Sequence, residues 1–402
     1  MSPSALPPSA DLLTRALGAF WATFAAVSVA GLMGDAHLAP GLSRVVRSVA
    51  RRGKDEDGED DGVDPTPAVS AAQTATPRRQ TSVRRRPTWH SRLTTVPHAW
   101  FSHFYVVGTA WNALVLMHAL AHAEATLIRD DVISDASSNQ EAAYAAAACV
   151  LVGVLFQVHV TRRLVESVFV SSYRQGATMH VLGYAVGVVY YLAAPLTLAS
   201  PAAAAAIAKS GAAASGALGA TPLVTLGDGF VDLRGLQLWM ASFWDATPFP
   251  SMEGSRWLRL LARVRRALRA TNVGAARSGV GAALFIAGNL HQNRYHRHLA
   301  ALRGGGAKST KRDEKAKRPT SGDYGVPRGG WFDAVSCPHY AAEVVLYVGL
   351  AIASGPRVSG ASTMVVAVAA NLALAARENH AWYLRRFPEY PKNRCAMIPG
   401  IW

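Results

Sequence analysis

Charge is scarce in this sequence: 17% of its 402 residues are Asp, Glu, Lys or Arg, against about 25% in an ordinary soluble chain. Acidic residues are the scarcer half, 26 against 41 basic ones, which leaves a formal charge of +15. Cysteine is nearly absent. Cys149, Cys337 and Cys395 lie far apart and in no CxxC or Cys/His pattern, so neither a disulfide framework nor a structural zinc site fits. No GxGxxG stands between a strand and a helix, and Gly304, Gly305 and Gly306 run into Ala, Lys and Ser, which suits a flexible linker rather than a phosphate loop. No hydrolase triad can be picked out. What the chain has in quantity is apolar surface, since half of its residues are hydrophobic. The basic excess sits in a few loops between long apolar runs, which favours a membrane protein with basic cytosolic loops over a nucleic-acid binder.

A helix needs about 20 largely apolar residues to cross a bilayer, because no water in the hydrocarbon can satisfy its backbone. Seven segments qualify: 12–38, 99–123, 142–160, 178–198, 278–298, 334–354 and 359–376. The first is uncharged from Ala16 to Met33 and long for a signal peptide, so it reads as a retained span. The expected fold is all-α and polytopic, with about seven transmembrane helices. Residues 1–40 hold the first span, and 41–97 form a basic, then acidic, then Pro/Ser/Thr/Arg-rich loop without apolar period, the composition of a disordered segment. Residues 98–200 hold spans two to four, 201–277 an Ala/Gly-rich and then Arg-rich insertion, and 278–402 the last three spans.

Lys and Arg accumulate on the cytosolic side, so the basic loops 41–97, 161–176, 303–328 and 385–394 place the N-terminus outside and the C-terminus in the cytosol. One block opposes this scheme. The stretch from Arg256 to Arg277 is strongly basic yet falls on the far side. Its Arg256, Arg259, Arg263 and Arg266 recur at helical spacing with Leu258, Leu261 and Val264 between them, so an amphipathic helix lying on the membrane accounts for it. A miscounted span accounts for it equally.

Ionisable residues at the ends of spans are functional candidates by default. They fall in three groups: Trp100 to Tyr105 with His103, Arg162 to Glu166 with Arg174 and His180, and His291 to Arg303. As positive-inside stops, Arg162, Arg163 and Arg174 need no ligand. His291, His296 and His298 lack the HxxxH spacing of a helical metal pair and have no carboxylate among them, so no metal is expected.

The C-terminus reads His380, Trp382, Tyr383, Phe387, Tyr390, Pro391, Arg394, Ile398, Pro399. It resembles the terminal pattern H-x-[FW]-Y-x3-F-x2-YP-x2-R-x3-IP of the steroid 5α-reductase family. Upstream, Gly329, Gly330, Phe332, Val335, Ser336, Pro338, His339, Tyr340 and Glu343 are similar to a second block of that family. The run His291, Gln292, His296, Leu299, Leu302, Arg303 resembles the HQ-x3-H-x2-L-x2-LR of one branch, the polyprenol reductases. Val96, Pro97, Trp100, Phe101, His103, Phe104 and Tyr105, with Arg162, Arg163, Leu164 and Glu166, point to the same branch. The resemblance takes in nearly all of the transmembrane framework and fails over 55–87, 201–275 and 304–320.

That resemblance implies an endoplasmic reticulum membrane enzyme that binds NADPH in cytosolic loops and helix ends, without a Rossmann fold. Position by position it implicates Gln292, His296, Arg303, Tyr324, His339, Glu343 and Arg394 in cofactor binding, with Arg163 and Arg174 on the same face. His380 and Tyr383, three apart on one helical face, are candidates for the cofactor or catalytic site. Where many steroid-branch members carry an arginine beside the loop tyrosine, this chain has Gly325, with Arg328 three residues on.

The implied reaction is hydride transfer to the β-carbon of an activated alkene, with protonation at the α-carbon. An α,β-unsaturated carbonyl offers the negative charge a place to go and an allylic alcohol does not. The expected immediate substrate is therefore a long-chain polyprenal, even where the net conversion runs from polyprenol to dolichol for protein N-glycosylation. Tyr105 and Glu166, with His103 behind them, are the candidates for polarising its carbonyl. The alternatives are a steroid or enoyl-lipid reductase, a membrane isoprenylcysteine-type methyltransferase and a non-enzymatic membrane scaffold.

Overall fold

The computed structural model describes residues 8–33, 46, 49–50, 95–128, 137–171, 177–199, scattered positions between 203 and 242, 254–303, 325–356 and 358–401. Eight helices carry the fold: α1 (Pro8–Met33), α2 (Phe101–Leu127), α3 (Ser137–Val165), α4 (Val181–Leu198), α5 (Gly254–Leu268), α6 (Asn272–Arg303), α7 (Pro338–Ser354) and α8 (Ser359–Arg386). All but α5 run alternately up and down the bundle. α1, α2, α3, α4, α6 and α8 include stretches long and apolar enough to cross a membrane. At 17 residues, α7 is only about 25 Å long, so six of the expected seven spans fall on helices long and apolar enough to cross and the seventh falls on a shorter one. The short one is central, packed against α3, α4, α6 and α8, with Leu346, Tyr347 and Leu350 fully buried.

Small residues explain the close seam between α6 and α7. A Cβ on Gly349 would lie 2.6 Å from the Gly281 carbonyl oxygen, and one on Gly288 would lie 2.6 Å from that of Ala342. Only glycine lets the two backbones touch, which is how helices associate where lipid gives no hydrophobic drive. Polar bonds pin the other seams. Asn112 Nδ2 on α2 donates to Gln157 Oε1 on α3 at 2.8 Å, and Trp21 Nε1 on α1 donates to Thr197 Oγ1 on α4 at 2.8 Å. At the end of α1, Arg377 of α8 donates to the carbonyls of Leu32 and Gly31 at 2.6 and 2.8 Å.

These bonds also fix direction. The C-terminal ends of α1, α3, α6 and α8 gather at one end of the bundle with the N-terminal ends of α2, α4 and α7. There a short antiparallel pair, β1 (Thr95–Pro97) with β2 (Thr178–His180), ties the entry of α2 to that of α4. A second pair, β3 (Thr225–Gly227) with β4 (Phe230–Asp232), lies between α4 and α5 in the chain.

The stretch Arg256 to Arg277 divides between α5 and the first turns of α6. With 15 residues, α5 is about 22 Å long and is not among the long apolar helices. It packs through Leu260, Val264 and Ala267 into a cluster with Ala123 and Leu127 of α2 and Ala143 and Ala146 of α3. Those are the opposite ends of α2 and α3, so α5 is an amphipathic helix whose apolar stripe is covered by the bundle.

Candidate active site

The alternation of the helices brings residues of α2, α3, α6, α7 and α8 to one end. α3 closes with a π turn, Glu166–Val170, a distortion frequent at functional sites. Glu166 opens that turn and is 2% exposed. Its carboxylate accepts from Arg162 Nη1, from Arg163 Nη1 at 2.5 Å and from Asn293 Nδ2, and it lies 2.9 Å from His296 Nδ1. A buried carboxylate so surrounded is held ionised and anchors its donors.

Arg163 extends the network inward. Its Nη2 and Nε donate to Tyr105 Oη at 2.7 and 3.2 Å, and its guanidinium carbon stands 4.9 Å from the centroid of that ring. His296 Nδ1 is 2.6 Å from Arg163 Nη1, so it accepts from the guanidinium in one tautomer and donates to Glu166 in the other. On the second branch, Arg162 donates to Asn289 Oδ1 at 2.6 Å and to Gln292 Oε1. Gln292 Nε2 then donates to Glu343 Oε2 of α7 at 3.0 Å. A cleft of about 420 Å³ opens beside this seam, lined by Val158, Thr161, Arg162, Val165, Glu166, Val170, Asn293 and Arg297 among others.

His339 links this half of the site to the other. Its ring lies 5.6 Å from that of His296 and 4.2 Å from that of Tyr340, and Tyr340 Oη accepts from Asn379 Nδ2 at 3.1 Å. Next in the chain, His380 Nδ1 is 2.6 Å from Ser336 Oγ, which is 2.7 Å from Tyr390 Oη. The Tyr390 ring stacks on Tyr383 at 5.0 Å and lies under Arg394, 5.0 Å away. Arg394 is buried and donates to the Pro327 carbonyl at 2.9 Å. Backbone bonds from Ser336 N to the Cys395 carbonyl and from Cys337 N to that of Ala396, 2.9 and 3.0 Å, hold the last segment against the start of α7.

Of the residues expected from sequence, Tyr105, Arg163, Glu166, Gln292, His296 and Glu343 fall into one bonded network. His339, His380, Tyr383 and Arg394 stand beside it. His103 does not join them: it is exposed and its Nδ1 pairs with Tyr184 Oη of α4 at 3.1 Å. Two residues along a helix turn a side chain by about 200°, so His103 and Tyr105 face opposite ways. Arg174 and Tyr324 lie outside the described residues, as does the side chain of Arg303 at the end of α6.

Sequence reasoning assigned no role to Asn289, Asn293, Ser336, Asn379 or Tyr390, and offered Arg162 as a topological stop as well as a functional candidate. A signal for two of them was present. Asn289, Gln292, Asn293 and His296 recur at i, i+3, i+4 and i+7, one polar face on a helix otherwise suited to lipid.

The chain is similar to proteins of one known family. Residues 253–402 match the family described as 3-oxo-5-alpha-steroid 4-dehydrogenase, a match that takes in α5 as well as the C-terminal blocks. Polyprenal reductase 2 of Arabidopsis thaliana is 33% identical over 332 residues, covering 78% of this chain and 84% of that protein. Polyprenal reductase 1 of the same plant is 32% identical over 312 residues, covering 78% and 83%. Polyprenal reductase of Mus musculus is 27% identical over 327 residues, covering 77% and 80%. The chain belongs to the steroid 5α-reductase family, in the group that the polyprenal reductases form.

Proposed function

We propose that the protein reduces the α-isoprene double bond of a long-chain polyprenal, as a step from polyprenol to dolichol. The reading rests on its relatives' names and on one observation: a buried phenol, Tyr105, is held by the Arg163 guanidinium at the end of a membrane bundle. Those two donated bonds occupy lone pairs of the Tyr105 oxygen and orient its O–H. Tyr105 then donates to the aldehyde oxygen as it gains charge. Glu166 is the anchor of this pair and not a proton donor, because it already accepts from Arg162, Arg163 and Asn293.

NADPH fits the second half of the site. Arg394 is buried, and among the described residues its Nε has no hydrogen-bond partner, a donor suited to a phosphate or carboxamide oxygen. Gln292, His296, His339, Glu343, His380 and Tyr383 line the same end, and Arg174, Arg303 and Tyr324 are assigned to the cofactor from the family pattern. When bound, NADPH supplies the hydride. The site end is assigned to the cytosolic face because the loops joined to it in sequence carry the Lys and Arg excess, and the endoplasmic reticulum membrane is assigned from the family resemblance.

Purified protein given NADPH with polyprenal, and separately with polyprenol, tests the reading. Saturation of the aldehyde without turnover of the alcohol is expected. Brisk saturation of the alcohol with no aldehyde formed would overturn it.

A further inference from the structure

The bundle end away from the site carries a feature that reduction does not use. α5 buries Leu260, Val264 and Ala267 against α2 and α3, which fixes its rotation. Two large apolar side chains are left outside that stripe: Leu258 is 72% exposed and Leu261 52%. Being three apart, they share one flank. Arg265, four residues past Leu261, follows on that flank, and Arg259, Arg265, Arg266 and Arg269 are all exposed. Among the described residues no acidic side chain pairs with any of these four. Arg256 differs, since its Nη2 meets Glu124 of α2 at 3.0 Å and pins the start of the helix.

An exposed leucine flank beside unpaired guanidinia, on a helix too short to span, matches the boundary between acyl chains and headgroups. Guanidinium also matches phosphate oxygens in geometry and charge. We propose that α5 is a binding surface for anionic phospholipid headgroups in the leaflet opposite the site, with Leu258 and Leu261 in the acyl layer and Arg259, Arg265, Arg266 and Arg269 on the phosphates. This places basic residues against the positive-inside bias for a reason: they hold α5 at the membrane surface.

The test uses the full chain in nanodiscs of phosphatidylcholine, with and without phosphatidylglycerol. Anionic lipid should raise the wild-type unfolding midpoint by several degrees, and native mass spectrometry should show retained phosphatidylglycerol. Replacing Arg259, Arg265, Arg266 and Arg269 together by Gln should abolish the rise, and L258S/L261S should reduce it. Replacing Lys308, Lys311 and Lys315 by Gln should leave it in place. All variants should keep wild-type polyprenal reduction in neutral nanodiscs, which shows that they fold. A full rise in the four-Arg variant, or no rise in wild type, would overturn the proposal. So would equal stabilisation by soluble heparin, since Leu258 and Leu261 would then have no part.

Discussion

Tyr105 and Glu166 are both buried, and in the proposed mechanism their surroundings give them different work. Arg163 donates to both, so the carboxylate sets the guanidinium and the guanidinium sets the phenol. Substituting Tyr105→Phe removes the hydroxyl but keeps the ring against Tyr191, 5.3 Å away. It should lower kcat by roughly 10²–10³, the usual effect of deleting one oxyanion donor, with KM for NADPH unchanged. Glu166→Ala leaves the half-buried Arg162 and Arg163 without their buried anion, which should cost about 3–5 kcal/mol and appear as a lower unfolding midpoint together with lost activity. The two outcomes separate a reacting group from a positioning one. At this scale the sequence was partly legible. Motif spacing found Gln292, His296, His380 and Tyr383, whereas the Ser336–Tyr390 bond joins residues 54 apart and has no local periodicity to announce it.

The helices were more legible than their contacts. A bilayer fixes helix length, so apolar runs mark the spans, and basic Arg256 to Arg277 showed its amphipathic period before its place was known. What the runs do not show is partner choice. The close seam of α6 and α7 depends on Gly281, Gly288 and Gly349, and glycine in an apolar run reads simply as apolar. Gly349→Leu should force these backbones apart and destabilise the protein by about 1–3 kcal/mol, the range for overpacking. Because Gln292 and Glu343 bond across this seam at 3.0 Å, NADPH binding by titration should weaken in the same variant. Binding left intact would mean that the seam does not carry the site.

Seven alternating helices place α5 and the N-terminal end of α1 at one end of the molecule and Tyr105, His296 and His380 at the other. That arrangement predicts sidedness in membranes. Cys395 is only partly buried, while Cys149 and Cys337 are buried. In sealed microsomes an impermeant thiol reagent should therefore label Cys395, and in a Cys395→Ser background it should label Arg269→Cys only after permeabilisation. Equal labelling of both in sealed vesicles would refute the topology. On the proposed topology, basic loops orient the bundle, Arg162, Arg163 and Arg394 stand at the site end, and the arginines of α5 face the opposite leaflet. The central claim is hydride delivery to the β-carbon of an enal, with charge received by the oxygen beside Tyr105. Its most direct measurement is mass spectrometry of the product from polyprenal and NADPH deuterated on its transferable hydride. One deuterium at the β-carbon of the α-isoprene unit is the result expected. Deuterium on the carbonyl carbon, with the double bond intact, would contradict the account.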